Sequence, residues 1–294
     1  MPDIQAFIRY LEERQIRIGS GSGYSFVRGL PPNICDTYFA MCSIKTLKLP
    51  SPDEDIVLFL SGYDHYDLNS GYFARKCLEL AGAEVEYRDG NIWWCYMGDE
   101  SIIPCFIPKT PVSNYFRYDL HGAYGENVFS SPLSALLKRI YLGETAPKSG
   151  LANLIHTFLK RFGNRDIMTL FMALEILNSI NSKGGSARLT SGELQEMRAF
   201  LRRCTTRNGY TASPVSSSIT IERVYAGHKI AKYLGLSDPS GLSSFINSLQ
   251  NANGGFRRSP FGGISTLEYS CLAISILSDI ENKRVYGSCI GRGV

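Results

Sequence analysis

Apolar residues recur along this chain at helical spacing, and the helical segments come in pairs. The clearest pair lies within residues 240–280. An amphipathic stretch, SGLSSFINSLQ, is followed by the turn Gly254-Gly255-Phe256, a Ser/Pro/Gly loop, and the more continuously apolar LEYSCLAISIL. Two glycines stop a helix, and Ser265 or Thr266 offers a side-chain oxygen to the free amides that begin the next one, with Glu268 near its positive end. The same order is legible at residues 191–236, where ELQEMRAFLRRC leads through Gly209-Tyr210 to TIERVYAGHKIAKYLGL. It is legible again at the N-terminus, where IQAFIRYLEERQI leads through Gly23-Tyr24 and the loop 28–33 to CDTYFAMCSIKTLKL.

Weaker pairs are PDEDIVLFLSG with LNSGYFARKCLELAG, and LANLIHTFLKRF with DIMTLFMALEILNSI, while SSPLSALLKRIYLG reads as a second helix without a first. Aligning the small residue in each second helix gives Ala40, Ala74, Ala135, Ala173, Ala226 and Ala273. Such hairpins stack as repeats, and about six of them can close into a ring, an α/α toroid, that leaves no terminal face to cap. The second helices, apolar on more than one face, form the inner ring of that arrangement. The fold expected is therefore all-α, with residues 1–294 as one domain.

One stretch breaks the period. EVEYRDGNIWWCYM, residues 84–97, places Asp89-Gly90 between aromatic and β-branched arms, which predicts a β-hairpin. The prolines in SIIPCFIPKTPV oppose a long helix. Residues 83–118 thus read as an insertion in place of an outer helix, either a lid or a cover that packs Trp93 and Trp94.

Composition narrows the class. A net charge of +4 with no dense basic run argues against a nucleic-acid partner. No apolar window is long enough for a transmembrane segment, and a charged N-terminus does not resemble a signal peptide, so a cytoplasmic location is expected. The eight cysteines (35, 42, 77, 95, 105, 204, 271 and 289) form no C-x-x-C pair and fall within apolar patterns, which favours reduced thiols over disulfides.

NGGFRRSPFGGISTLEYSCLAISIL resembles the repeat of the protein prenyltransferase β-subunit and squalene-hopene cyclase (terpene cyclase) superfamily, and the segments starting at Gly23 and Gly209 look like divergent copies. The resemblance implies a toroid whose central cavity holds an isoprenoid chain against aromatic side chains, and it extends to an activity as a transferase or a cyclase. It also implies a second possibility, a helical-repeat protein partner of the kind β-type subunits use. The chemistry of the superfamily is only partly present. The Asp-x-Cys zinc ligands are missing, the nearest counterpart being Asn33-Ile34-Cys35, so zinc is not expected; a site from Cys35, Asp36 and His228 is the residual option. Of the cyclase D-x-D-D only Asp36 and Thr37 remain, which leaves Asp36 as the candidate acid; His228 is the other candidate catalytic residue. Asp53-Glu54-Asp55 after Pro52 reads as helix-dipole stabilisation, and Asp64-His65-Tyr66-Asp67 as solvated surface.

A diphosphate head needs converging cations, and would bring Mg2+ with it. Tyr225, His228, Lys229 and Lys232 are spaced to share a face of one helix, and Arg257 and Arg258 follow the Gly-Gly-Phe turn. Tyr38, Tyr72, Tyr225 and Tyr269 are the aromatic candidates for an apolar tail, drawn from fifteen Phe, seventeen Tyr and two Trp. Two readings follow: an enzyme acting on isoprenoids, or a non-catalytic toroid that binds an isoprenoid or a protein.

Overall fold

The computed structural model describes residues 2–62, 68–88, 92–97, 101–106, 155–157, 159–160, 166–182 and 188–290. These residues are mostly helical: α1 (Ile4–Glu12), α2 (Ile34–Thr46), α3 (Asp53–Ser61), α4 (Leu68–Leu80), α5 (Ile167–Ser182), α6 (Ser191–Cys204), α7 (Ile221–Tyr233), α8 (Leu242–Ser248) and α9 (Leu267–Ile290). Three small antiparallel sheets accompany them: β1 (Gln15–Ile18) with β2 (Gly21–Tyr24), β3 (Glu84–Arg88) with β4 (Ile92–Met97) and β5 (Ser101–Phe106), and β6 (Thr205–Thr206) with β7 (Gly209–Tyr210).

The three strong pairs read from the sequence are present: α1 with α2, α6 with α7, and α8 with α9. The weaker pair at 53–80 is α3 with α4, while Ala135 and the segment 130–143 fall outside the described residues. In the first and last copies, corresponding residues make the same hydrogen bonds. Tyr24 N–H donates to Thr37 Oγ1 at 2.9 Å, and that hydroxyl donates on to Asn33 O at 2.7 Å. In the last copy Phe256 N–H donates to Ser270 Oγ at 2.9 Å, and that hydroxyl donates to Thr266 O at 2.7 Å. The cap residues also correspond: Asn33 Oδ1 accepts from Asp36 N–H and Thr266 Oγ1 from Tyr269 N–H. A third bond is common to all three copies. The residue after the aromatic donates to a carbonyl at the end of the first helix, Ser25 to Arg14, Thr211 to Cys204 and Arg257 to Leu249.

The middle copy differs in two ways. Val224 stands where Thr37 and Ser270 supply a hydroxyl, and Thr220, though it starts α7, makes no side-chain cap bond. Counting from the caps also corrects the alignment of small residues. Ala40 and Ala273 are the seventh residues after Asn33 and Thr266, and Ala173 the seventh after Asp166, which caps α5 through Thr169 N–H. The corresponding position in α7 is Gly227, not its neighbour Ala226, and a Cβ on Gly227 would lie 2.2 Å from the Tyr210 ring.

The hairpin predicted at 84–97 is present, with Glu84 paired to Tyr96 and Arg88 to Ile92. Its Asp89-Gly90 turn lies outside the described residues, as do residues 107–118 of the predicted insertion. Residues 101–106 form a third strand that the proline argument did not predict; Pro104 pairs opposite Trp94 on β5, which is an edge strand and so tolerates a residue without an amide proton.

The chain divides into two compact units. One comprises residues 1–66, 73–107 and 240–294, the other 67–72 and 108–239. In the first, α1 docks on the last copy of the repeat. Asp3 N–H donates to Gln250 Oε1 at 2.8 Å, Gln250 Nε2 donates back to Asp3 O at 2.9 Å, and Phe7 meets Phe256 edge-on with ring centroids 6.1 Å apart. In the second, Leu170, Leu174 and Leu177 of α5 bury against Phe200 of α6 and Ile230 of α7. No helix among the described residues is long and apolar enough to cross a membrane.

Candidate functional site

The amphipathic first helices α1 and α6 bury one stripe, as a surface helix does. The second helices are different: opposite or beside a fully buried stripe, each carries another that is half-buried. On α2 this second stripe is Tyr38, Phe39 and Cys42; on α5, Met168, Phe171 and Met172; on α7, Tyr225 and Lys229; on α9, Tyr269, Leu272 and Ser275. The fifth residue after the cap is aromatic in three of these helices (Tyr38, Phe171 and Tyr225) and is Cys271 in the fourth.

Within each unit the aromatics of these stripes meet. Tyr38 and Phe73 have centroids 5.2 Å apart, Phe39 and Phe73 5.7 Å, and Tyr38 and Phe39 5.2 Å, so α2 and α4 share one aromatic cluster. Tyr72, on the same helix as Phe73, is also half-buried. In the other unit Phe171 packs edge-on against Tyr225 at 5.8 Å, and Lys229 Nζ lies 5.2 Å from the Tyr225 ring centre. These separations are those at which aromatic rings attract one another beyond simple burial, and at which a cation is held by a ring face.

The candidate acid Asp36 is engaged structurally. Its carboxylate accepts from Phe26 N–H at 3.1 Å and from the Asn33 amide, which ties the loop before α2 to the helix start. Burial pushes its carboxyl above the ordinary range, while the hydrogen bonds from Asn33 and Phe26 pull the other way. Beside it Arg14 lies 3.6 Å over the Tyr10 ring and donates to the carbonyls of Tyr10 and Phe26, and burial pushes the Tyr10 hydroxyl up to about 12.

His228 is fully buried. Its Nδ1–H donates to Asp238 Oδ1 at 2.9 Å, the tautomer that a carboxylate acceptor selects, and Tyr210 OH donates to the same oxygen at 3.3 Å. The pair ties the segment after α7 to that helix and to the β6–β7 hairpin. Of the four residues spaced to share a face of α7, Tyr225 and Lys229 are half-buried, His228 turns into the core with Val224 and Ala231, and Lys232 is exposed, so the four do not point together. The residue that accompanies Tyr225 is Lys229, one full turn on.

The zinc option of Cys35, Asp36 and His228 draws on residues of different units, and among the described residues no three His, Cys, Asp or Glu are grouped to hold a metal ion. Asp53, Glu54 and Asp55 open α3 as expected, with Lys45 Nζ 2.7 Å from Asp53; Asp64–Asp67 lie outside the described residues. Arg257 is half-buried and donates to Ser248 O at 3.1 Å, and Arg258 is exposed in the loop leading to α9. A cleft of about 380 Å3 between α1 and the α2–α3 turn, lined by Leu11, Glu12, Tyr24, Ile44 and Pro50, includes none of the expected site residues.

Sequence reasoning missed the sulfur chemistry in the first unit. Cys42 of α2 is half-buried and Cys271 of α9 is buried. Interaction with Cys271 holds the Cys42 thiol down against its burial, and Cys42 together with burial pushes the Cys271 thiol well up. The two residues are more than two hundred positions apart, and no spacing motif signals such a pair.

No protein-family model matches the chain, and comparison with curated proteins and with solved structures gives no match.

Proposed function

We propose that this chain is an α/α toroid that acts on an isoprenoid, with the apolar chain held against the aromatic faces of the second helices. The observation that carries the reading is the half-buried stripe on the second helices among the described residues: a helix buried on one side alone has no need of Tyr38, Phe39 and Phe73, or of Phe171 and Tyr225, on another. Ring closure is supported by the docking of the first repeat on the last, through Asp3, Gln250, Phe7 and Phe256, because a closed ring needs that contact and an open solenoid lacks it. Arg257 and Arg258, beside the start of α9, are the cations for an anionic head group. Whether a helical-repeat partner completes the assembly belongs to the same proposal.

A second reading, a toroid that binds an isoprenoid without transforming it, is favoured by the two candidate catalytic residues. The Asp36 carboxylate is occupied by two donors and His228 is sealed in the core against Asp238. Calorimetric titration with geranylgeranyl diphosphate tests the shared claim. Wild type binds, Tyr38→Ala/Phe73→Ala and Tyr225→Ala each weaken binding by roughly tenfold, about 1.4 kcal/mol, and Arg257→Ala/Arg258→Ala weakens it further through the head group. No binding by wild type, or affinity unchanged in all three variants, contradicts it. Release of inorganic diphosphate, or conversion of the substrate to a cyclised isomer seen by chromatography, on incubation separates the enzyme from the binder.

A further inference from the structure

We propose that the cleft between α1 and the α2–α3 turn is a binding site for a small primary amine with an aliphatic chain, its ammonium held by Glu12 and Tyr24. The cleft encloses about 380 Å3, inside the range of roughly 300–1,000 Å3 found for small-molecule sites. Local chemistry shapes it. Helix α2 ends in a Schellman-type turn, in which Lys48 takes a positive φ of 55° and Leu49 N–H returns to Ile44 O at 3.0 Å, so that both apolar side chains line the cleft. Pro50 and Pro52, whose rings fix the backbone, carry the chain on to α3, and Leu11 lines the cleft from α1.

Two polar groups of this apolar lining are unpaired. Tyr24 is only 3% exposed, yet its hydroxyl makes no hydrogen bond among the described residues. A buried hydroxyl without a partner is unfavourable, so a ligand that pairs with it gains affinity. The Glu12 carboxylate likewise has no ion pair or hydrogen bond among the described residues. It ends α1, where the negative pole of a helix disfavours a carboxylate, so its charge does not serve the helix. Burial, with the Glu12 charge beside it, pushes the Tyr24 hydroxyl up, which keeps it neutral.

These groups select the ligand. Among the described residues no Lys, Arg or His lines the cleft, so an anion finds no charged partner there. The Glu12 carboxylate, the Tyr24 oxygen and the Gln15 amide oxygen, whose Nε2 donates to Ser22 at 3.0 Å, are acceptors for the three N–H groups of an ammonium. The aliphatic chain lies on Leu11, Ile44 and Leu49. None of these residues belongs to the aromatic stripes, so the site stands or falls apart from the isoprenoid reading.

The probe is hexylamine, titrated into the full chain labelled at its Ile and Leu methyl groups and followed by NMR. The methyls of Leu11, Ile44 and Leu49 are expected to shift saturably with a millimolar dissociation constant, as suits so small a ligand, while those of Leu174 and Leu177 in the other unit stay in place. Glu12→Gln is expected to weaken binding by about fivefold or more, and Tyr24→Phe by about threefold, through loss of the hydrogen bonds to the ammonium. Neither should lower the unfolding midpoint, because neither group has a partner to lose. Hexanoate is expected to shift none of the three methyls. No shift at those methyls, equal shifts with hexanoate, or unchanged affinity in both variants would overturn the proposal. Geranylgeranyl diphosphate shifting the same methyls would overturn it too, by giving the cleft to the isoprenoid. Saturable amine binding in a chain that binds no geranylgeranyl diphosphate would uphold it and count against the isoprenoid reading alone.

Discussion

Two hydroxyls, on Thr37 and Ser270, carry the local order of the repeat. Each is fully buried, accepts from the amide of the turn aromatic and passes its own proton to a carbonyl one turn back. Deleting such a hydroxyl leaves a buried N–H unpaired, which costs about 1–3 kcal/mol, whereas the shape of the side chain is nearly kept in Thr37→Val. Equilibrium urea unfolding of Thr37→Val and Ser270→Ala should therefore show losses in that range for both; a loss under about 0.5 kcal/mol in both would mean that the shared bonds are incidental. These hydroxyls are hard to find in the sequence because Ser and Thr are common and Val224 breaks the pattern in the middle copy. The cap Thr266 is legible as one of two candidates with Ser265, since a hydroxyl just before an apolar period has one main use, whereas Asn33, which caps α2, is not singled out because Asp36 three residues on is as good a helix-start residue. Asp36 was legible as a helix-start acid, but its hold on Phe26 was not, because that contact comes from a loop whose path the sequence does not specify.

At the scale of elements, α7 and α6 give opposite expectations for the same substitution. Gly227 sits inside α7, where glycine weakens a helix, and the Tyr210 ring fills the space a side chain would need. Gly227→Ala should destabilise by about 1–3 kcal/mol through overpacking, whereas Gly192→Ala in the first turn of α6, with open space around it, should be neutral or stabilising by up to about 1 kcal/mol. Equal changes in the two unfolding curves would rule out the packing explanation. Helix α6 also carries a pH dependence. Thr190 and Glu193 form a capping box, and His156 Nδ1 lies 2.8 Å from the Glu193 carboxylate. Burial pushes that carboxyl up, but the hydrogen bonds from Thr190 and His156 outweigh it and hold the group below its ordinary value. A carboxyl whose folded value is depressed contributes stability above its unfolded value, near pH 4.5, and loses it as pH falls through the folded one. The stability gap between wild type and Glu193→Gln should thus be full at neutral pH and shrink below about pH 4.5; a gap that stays constant down to pH 3 would contradict the assignment. Paired helices and the β3–β4 hairpin were readable because period and turn chemistry are local, while β5 was not, because edge pairing decides where a strand proline is tolerated.

For the whole molecule, the consequential contact is the one between the first and last copies of the repeat. Gly254 has a positive φ of 87°, and a Cβ there would lie 2.1 Å from the Ala6 carbonyl oxygen of α1. Gly254→Ala is both strained and obstructed, and should raise amide hydrogen exchange across α1 well before it affects α5 or α7. Uniform exchange throughout the chain would mean that the docking of α1 is not a separate element of stability. The repeat could be read from the sequence because its turns and caps recur; the burial of His228 against Asp238 could not, because it depends on how the segment after α7 packs. The most direct test of the account is a crystal structure grown with geranylgeranyl diphosphate. The expected result is the isoprenoid tail against Tyr38, Phe39 and Phe73 with the diphosphate near Arg257 and Arg258. Those aromatics facing bulk solvent with no bound chain would contradict it.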